Sequence, residues 1–190
     1  MSLQTTKINP EVFFADGDVV AIEGDELGFL VEAALQSPRR RARVCAHRRP
    51  DDLLHEMIVV LTPDSYLIPE KHVVKEESYH VIKGAADVVL FNDQGEITDV
   101  IEIGDYESGR AFYFRVRRSD FYHSVIVRSD IFLYRESATG PFNRADTVIA
   151  PWAPAESDEV RKLAYTAELI RRVDDFQNAR KGAGSRVVGT

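Results

Sequence analysis

Cysteine occurs once, at position 45, so no intrachain disulfide can staple this chain and its stability must come from a packed core. No apolar run approaches eighteen residues, which excludes a membrane-spanning helix. The opening MSLQTTKINPEVFF has neither the basic segment nor the long apolar stretch of a secretory leader, and a cytoplasmic location is therefore expected. Excess positive charge is missing too. With 24 Lys and Arg against 31 Asp and Glu, the net charge of −7 exerts no general pull on nucleic acid or an anionic membrane. The basic cluster from Arg39 to Arg49 has few interleaved aromatics, so it is a weak nucleic-acid patch. What remains as a partner is a small molecule or another protein.

What is present suffices for one domain with appendages, or two small ones: 190 residues, of which 44% are hydrophobic. VFF (12 to 14) and VVAI (19 to 22) flank the turn-forming Ala15-Asp16-Gly17-Asp18 and read as two short strands. In GDELGFLVEAALQS the residues Leu27, Leu30, Val31, Ala34 and Leu35 form one helical stripe, capped by Asp25 and ended by Pro38. From residue 40 to about 136 come nine β-rich runs: RARVCAH, EMIVVL, SYLI, ESYHVI, ADVVLF, ITDVIEI, AFYFRV, FYHSVIV and DIFLYRE. The hairpin signal Asn92-Asp93-Gln94-Gly95 lies among them, and together they argue for an antiparallel barrel or sandwich. A second amphipathic helix follows a proline-bearing strap, with Val160, Leu163, Ala164, Ala167, Ile170 and Val173 on one face and Ser157 as its cap. That face needs cover from the barrel or from a second subunit. The expected organisation is strands and a helix over 1–38, barrel and strap over 39–155, helix over 156–181 and a flexible tail over 182–190.

PEKHVVKEESYHVIKG, residues 69 to 84, concentrates histidine and glutamate at the end of one strand and the start of another. Side chains alternate on a strand, so Glu70 and His72 share a face, and an antiparallel neighbour after a four-residue turn would return Glu77 beside His72. His123 in FYHSVIV shares its parity with Phe121, Val125 and Val127, where an imidazole is poorly served by water. Two imidazoles and one or two carboxylates are donors that first-row divalent ions accept, with positions left open. By spacing alone, a solvated hairpin stands beside this as an equal reading.

From Asp64 through Gly84 the sequence resembles the first motif of the cupin superfamily, G(X)5HXH(X)3–4E(X)6G, with His72, Glu77 and Gly84 in the second histidine, glutamate and closing glycine positions. Glu70 stands where the first histidine is expected, and Asp64 where the opening glycine is. Of the second motif only His123 survives, because Arg118, Asp120 and Val127 replace its proline, glycine and asparagine. More closely, residues 12 to 155 resemble the WbuC-type cupin-fold metalloproteins through SPRRRARVCAH, KEESYHVIKGAADVVLF, the Tyr-His of FYHSVIV, ESATGPF and APWAPAE. The resemblance implies an all-β double-stranded β-helix, a small jelly-roll barrel with flanking helices, in a homodimer. It also implies a divalent ion on Glu70, His72, Glu77 and His123, in a surface-polysaccharide context such as O-antigen assembly. Glutamate in place of histidine leans the site toward Fe, Mn or Zn.

Arg41, Arg43, Cys45 and His47 alternate on one face of RARVCAH, and Arg43 and His47 are candidates for holding an anionic ligand. Tyr79, Tyr113, Tyr134 and Arg115 have the parity to enter the barrel and hold a substrate, with aromatic packing as the plainer reading of the tyrosines. Cys45 reads as a small buried filler, His80 as outward-facing, and His55 as a surface pair with Glu56. The leading function is a metal-dependent cupin acting on or binding a small polar metabolite, a sugar or nucleotide-sugar. As an isomerase or epimerase it would use Glu70 or Tyr79 to move a proton. A binding or regulatory cupin without turnover is the alternative; an Fe(II) oxygenase with His72, Glu77 and His123 as a facial triad is the third reading.

Overall fold

The computed structural model describes residues 3–117 and 120–184. Among the described residues twelve strands form two sheets, and the chain crosses between them repeatedly. β1 (Thr5–Asn9), β2 (Val12–Ala15), β3 (Arg41–Cys45), β4 (Leu54–Leu61), β6 (Glu77–Lys83), β9 (Tyr113–Val116) and β11 (Phe132–Thr139) make one sheet, in the order β1-β2-β3-β4-β11-β6-β9. β5 (Glu70–His72), β7 (Ala85–Phe91), β8 (Ile97–Gly104), β10 (Tyr122–Val127) and β12 (Thr147–Ile149) make the other, in the order β12-β5-β10-β7-β8. β4-β11-β6-β9 thus faces β5-β10-β7-β8, which is the wrapping of a double-stranded β-helix, the jelly roll of the cupin fold.

Alternation along the strands builds the interior. Val59, Leu61, Val81, Phe114, Val116, Phe132 and Tyr134 meet Ala86, Val88, Ile103, Val125 and Val127 from the opposite sheet. β7 and β10 are buried along nearly their whole length because both of their faces are covered. Beyond the interior face, Val89, Phe91, Tyr122 and Ile126 pack under the C-terminal helix α2 (Glu159–Gly184). On the other sheet, Ala42, Val44, Val60 and Leu133 pack under α1 (Gly28–Gln36), whose Leu30 and Ala34 are fully buried. Burying Leu30 contributes about 1.5–3 kcal/mol, enough to seat this short helix.

Gly84, the motif's closing glycine, sits at φ +87°, and a Cβ there would overlap the Ile131 carbonyl and Ser129 Oγ. Gly95, at φ +80°, ends the β7–β8 turn and lies against the Trp152 ring.

Several local expectations are corrected. VVAI (19 to 22) and SYLI (65 to 68) form no strand; β1 and β5 supply the pairings instead. The helical stretch opens on a short 3-10 turn, Gly24–Leu27, whose Glu26 carboxylate accepts from the Glu23 amide at 2.9 Å; α1 itself has no side-chain cap, and Asp25 supplies none. Asp158, not Ser157, caps α2 by accepting from the Arg161 amide at 3.1 Å. Of the expected α2 face, Val173 and Ile170 pack on the sheet, joined by Leu169 and the half-buried Tyr165 and Phe176, whereas Val160 and Leu163 are 80% and 67% exposed. Trp152 and Phe91 favour the aromatic face, since ring packing buries more apolar area than the alanine-rich one. The helix continues past residue 181 to Gly184; the rest of the expected tail lies outside the described residues, as does Arg118.

Candidate metal centre

Each sheet contributes to one point inside the barrel. His123 on β10 lies directly opposite Glu70 on β5, which places Glu70, His72 and His123 on the five-stranded sheet. Glu77 comes from β6 in the other sheet. The hairpin reading of residues 69–84 is therefore corrected. Both edges of β5 are taken, by β10 and β12, so β6 has no edge to pair with; residues 73–76 cross the barrel and Glu77 meets His72 face to face.

The meeting is close. His123 Nε2 is 2.9 Å from Glu77 Oε1, and His72 Nε2 is 3.2 Å from Glu77 Oε2. One donor atom from each of the three lies within 4.8 Å of the others, and all three residues are buried. Thr147 Oγ1, 3.4 Å from His72 Nδ1, orients the His72 ring, and the Tyr79 hydroxyl donates to Glu77 Oε1 at 2.8 Å. Despite its 3.2 Å approach to Glu77, His72 Nε2 has no aligned hydrogen-bond partner. A buried, unpaired imidazole nitrogen beside a carboxylate and a second imidazole is the donor chemistry that a divalent ion completes. Glu70 stands at the rim, 33% exposed, with Oε1 3.5 Å from His72 Nε2, apart from the tight set of three.

Electrostatics hold the carboxylate ready. Burial alone would raise the Glu77 carboxyl, but the hydrogen bond from His123, the adjoining His72 imidazole and the nearby Lys75 charge outweigh it and hold it well below the ordinary carboxylate range. Burial opposes charging His123, and the bond to Glu77 more than offsets this, raising the imidazole. Burial pushes the Tyr79 and Tyr134 phenols well up, with Glu77 adding to the first and Glu136 to the second, so both stay protonated donors. Sequence reasoning missed two residues here. Lys75 Nζ is 2.8 Å from Glu77 Oε2 and 3.7 Å from Glu136 Oε1. Glu136, whose carboxyl is raised by burial, shares parity with Tyr134 on β11, a signal that was readable; Lys75 sits in the crossing loop, where no periodicity marks it.

A cavity of about 410 Å3 opens above these groups, within the range of small-molecule sites. Arg43, Tyr79 and Tyr134 line it as expected, joined by Arg41, Glu136 and Arg144. His47 does not. Strand β3 stops at Cys45, so the alternation ends there; the His47 ring stacks on His55 at 4.1 Å, with Nδ1 3.1 Å from the Glu56 carbonyl oxygen. Tyr113 and Arg115 point outward, and the Arg115 guanidinium donates to the Glu76 carboxylate. The register explains this: Phe114 pairs with Tyr79 and Val116 with Glu77, and directly opposed residues share a face, so the interior positions are already taken. His55 is buried, and Glu56 pairs with Arg135 at 2.6 Å instead. Cys45 is buried, which raises its thiol and makes it a filler, and His80 faces out beside Phe112. A hollow of about 570 Å3 beside β1 and β2 is lined by Thr6, Asp16 and Arg48 among others, and among the described residues it contains no buried donor set.

A family model described as a domain of unknown function, DUF6016, matches residues 22–103. No curated protein matches the sequence. Among solved structures, the chain is similar to protein SO0799 from Shewanella oneidensis, at 16% identity and TM-score 0.43, over 55% of this chain and 66% of that one. It is similar to the capsular polysaccharide assembling protein CapF from Staphylococcus aureus, at 14% identity and TM-score 0.42, over 52% and 27%. The DMSP lyase DddQ from Ruegeria pomeroyi matches at 18% identity and TM-score 0.44, over 61% and 54%. The chain thus spans less than two thirds of each of these proteins. On the strand order of its own two sheets, the chain is a cupin-fold protein.

Proposed function

We propose that this chain is a metal-dependent cupin of the WbuC type that acts on a small polar metabolite, a sugar or nucleotide-sugar precursor of surface polysaccharide, in the cytoplasm and as a homodimer. One observation carries the reading. His72, Glu77 and His123, from two different sheets, aim their donor atoms at one buried point beneath a cavity of substrate size. His72 Nε2, a Glu77 oxygen and His123 Nε2 would hold the ion, which as a Lewis acid would polarise a carbonyl or hydroxyl oxygen. Around it the chain's own groups suit a polyhydroxylated ligand. The Tyr134 phenol and the Glu136 carboxyl line the cavity and offer a donor and acceptors. Glu70, partly exposed at the rim, is the carboxylate placed to take or return a proton on an isomerase or epimerase route. The Tyr79 proton is engaged by Glu77, so its part is to orient that ligand.

A binding cupin without turnover is the second reading, and one observation favours it: the Lys75 ammonium lies 2.8 Å from Glu77 Oε2, on an oxygen that an ion would use. Metal analysis of the purified chain, repeated on Glu77→Ala and His72→Ala, tests the donor set. Stoichiometric Fe, Mn or Zn in the parent that disappears from both folded variants supports it; metal retained in both overturns it. Interconversion of a nucleotide-sugar by the loaded parent and not by Glu70→Gln would then separate catalysis from binding.

A further inference from the structure

The cavity's walls carry a charge pattern that the donor set does not use. Five cationic side chains line it, Arg39, Arg41, Arg43, Lys75 and Arg144, against the carboxylates of Glu70, Glu77, Glu136 and Glu156. Three of the five are committed. Arg39 pairs with Glu11 and Glu156, Arg41 NH2 lies 2.8 Å from Glu156, and Lys75 lies 2.8 Å from Glu77. Arg43 and Arg144 differ: among the described residues neither has a carboxylate partner within ion-pair distance. Arg43 projects from β3, on the seven-stranded sheet, with Val44 on the opposite face buried under α1. Arg144 projects from the short turn that leads into β12, on the five-stranded sheet, and Thr147 and Ile149 of that strand also line the cavity. These two guanidinium groups, without carboxylate partners among the described residues although Arg43 lies beside the Cys45 thiol, line one opening from the two sheets. This excess of positive charge sits in a chain whose net charge is −7, and a bound divalent ion would deepen it.

Two exposed guanidinium forks without carboxylate partners, at the rim of a concave site, present the geometry that oxyanions accept through paired N–H donors. We infer that the cavity takes a ligand bearing an oxyanion, a phosphate or a carboxylate, and that Arg43 and Arg144 hold this group while the ligand's polar body reaches toward the buried donors. The inference rests on reading the cavity as the substrate site. It names the ligand's charge and the end by which the ligand is held, and it makes Arg43 and Arg144 specificity residues.

Calorimetric titration of the full chain with inorganic phosphate, and separately with acetate and glucose, tests it. Each titration is run on metal-loaded protein and again after chelation. Phosphate or acetate should bind where glucose alone does not, and Arg43→Gln or Arg144→Gln should each weaken the anion by about tenfold or more, the size of losing one charge-assisted hydrogen bond. Arg49→Gln, on an exposed Arg49–Asp51 pair away from the cavity, should leave binding unchanged. Which anion binds better identifies the oxyanion. Raised salt should weaken binding in the parent more than in the Arg43→Gln/Arg144→Gln double variant. Anion affinity equal in the parent and in the folded double variant overturns the inference, as does a parent that binds neither anion. Because the arginine dependence is also read after chelation, loss of the metal reading leaves this result intact, and metal content in the double variant reports on the donor set separately.

Discussion

Two histidine pairs lie within this barrel, and they differ in every respect that matters for chemistry. His47 and His55 stack with ring centroids 4.1 Å apart and planes 2° from parallel; His72 and His123 stand 5.3 Å apart at 64°. Parallel stacked rings keep their nitrogens in separate planes, whereas angled rings can point theirs at one centre. A carboxylate occupies that centre in the second pair, Glu77, while the first pair meets a backbone carbonyl and the ring of Phe14. His55, His72 and His123 are buried and His47 is half-buried, so burial by itself does not tell the pairs apart. Convergence on a shared acceptor is what separates a candidate metal site from aromatic packing.

Breaking the comparison should have its largest effect at the convergent pair. His123→Ala should abolish stoichiometric metal, a loss larger than the roughly 10–100-fold that outer-shell changes cost, while His47→Ala should leave metal content unchanged on elemental analysis. Equal loss in both variants would erase the distinction. Glu70→Gln should weaken metal by about tenfold in competition with a chromogenic chelator, since Glu70 flanks the set without belonging to it. At the stacked pair the cost should be structural. His55→Ala should lower unfolding free energy by about 1 kcal/mol in urea while metal remains, because a buried ring contact is lost and no ligand is. The smallest effect concerns the thiol beside this region. Burial raises the Cys45 thiol above its ordinary value, so at a given pH less thiolate is present than in the unfolded chain. Iodoacetamide at mildly alkaline pH should therefore label folded protein far more slowly than urea-unfolded protein, and equal rates would show that Cys45 is accessible.

How much of this was legible depended on how local each signal is. Glu70, His72, Glu77 and Gly84 sit within one short stretch, and their spacing in a motif carried them into view together. His123 was found by parity in an apolar strand. Parity also misled: in AFYFRV it left two choices of inner face, and only pairing with β6 put Phe114 and Val116 inside and Tyr113 and Arg115 out. On α2 two stripes competed, and the face with Val160 and Leu163 lost to the one with Tyr165 and Phe176 because Trp152 and Phe91 were waiting beneath it. Lys75 escaped because a crossing loop has no period, whereas Glu136 was readable from its parity with the inward-facing Tyr134 on β11.

By itself the sequence determined an antiparallel β-rich chain with two packed helices, its turns, and the residues able to ligate, since alternation, helical period and turn chemistry act over a few neighbours. The tertiary structure alone decided that Glu77 faces His72 from another sheet, which arginines lack a carboxylate partner, and which tyrosines look inward. Those outcomes depend on sheet assignment and register, where residues far apart in the chain compete for the same edges and the same buried volume.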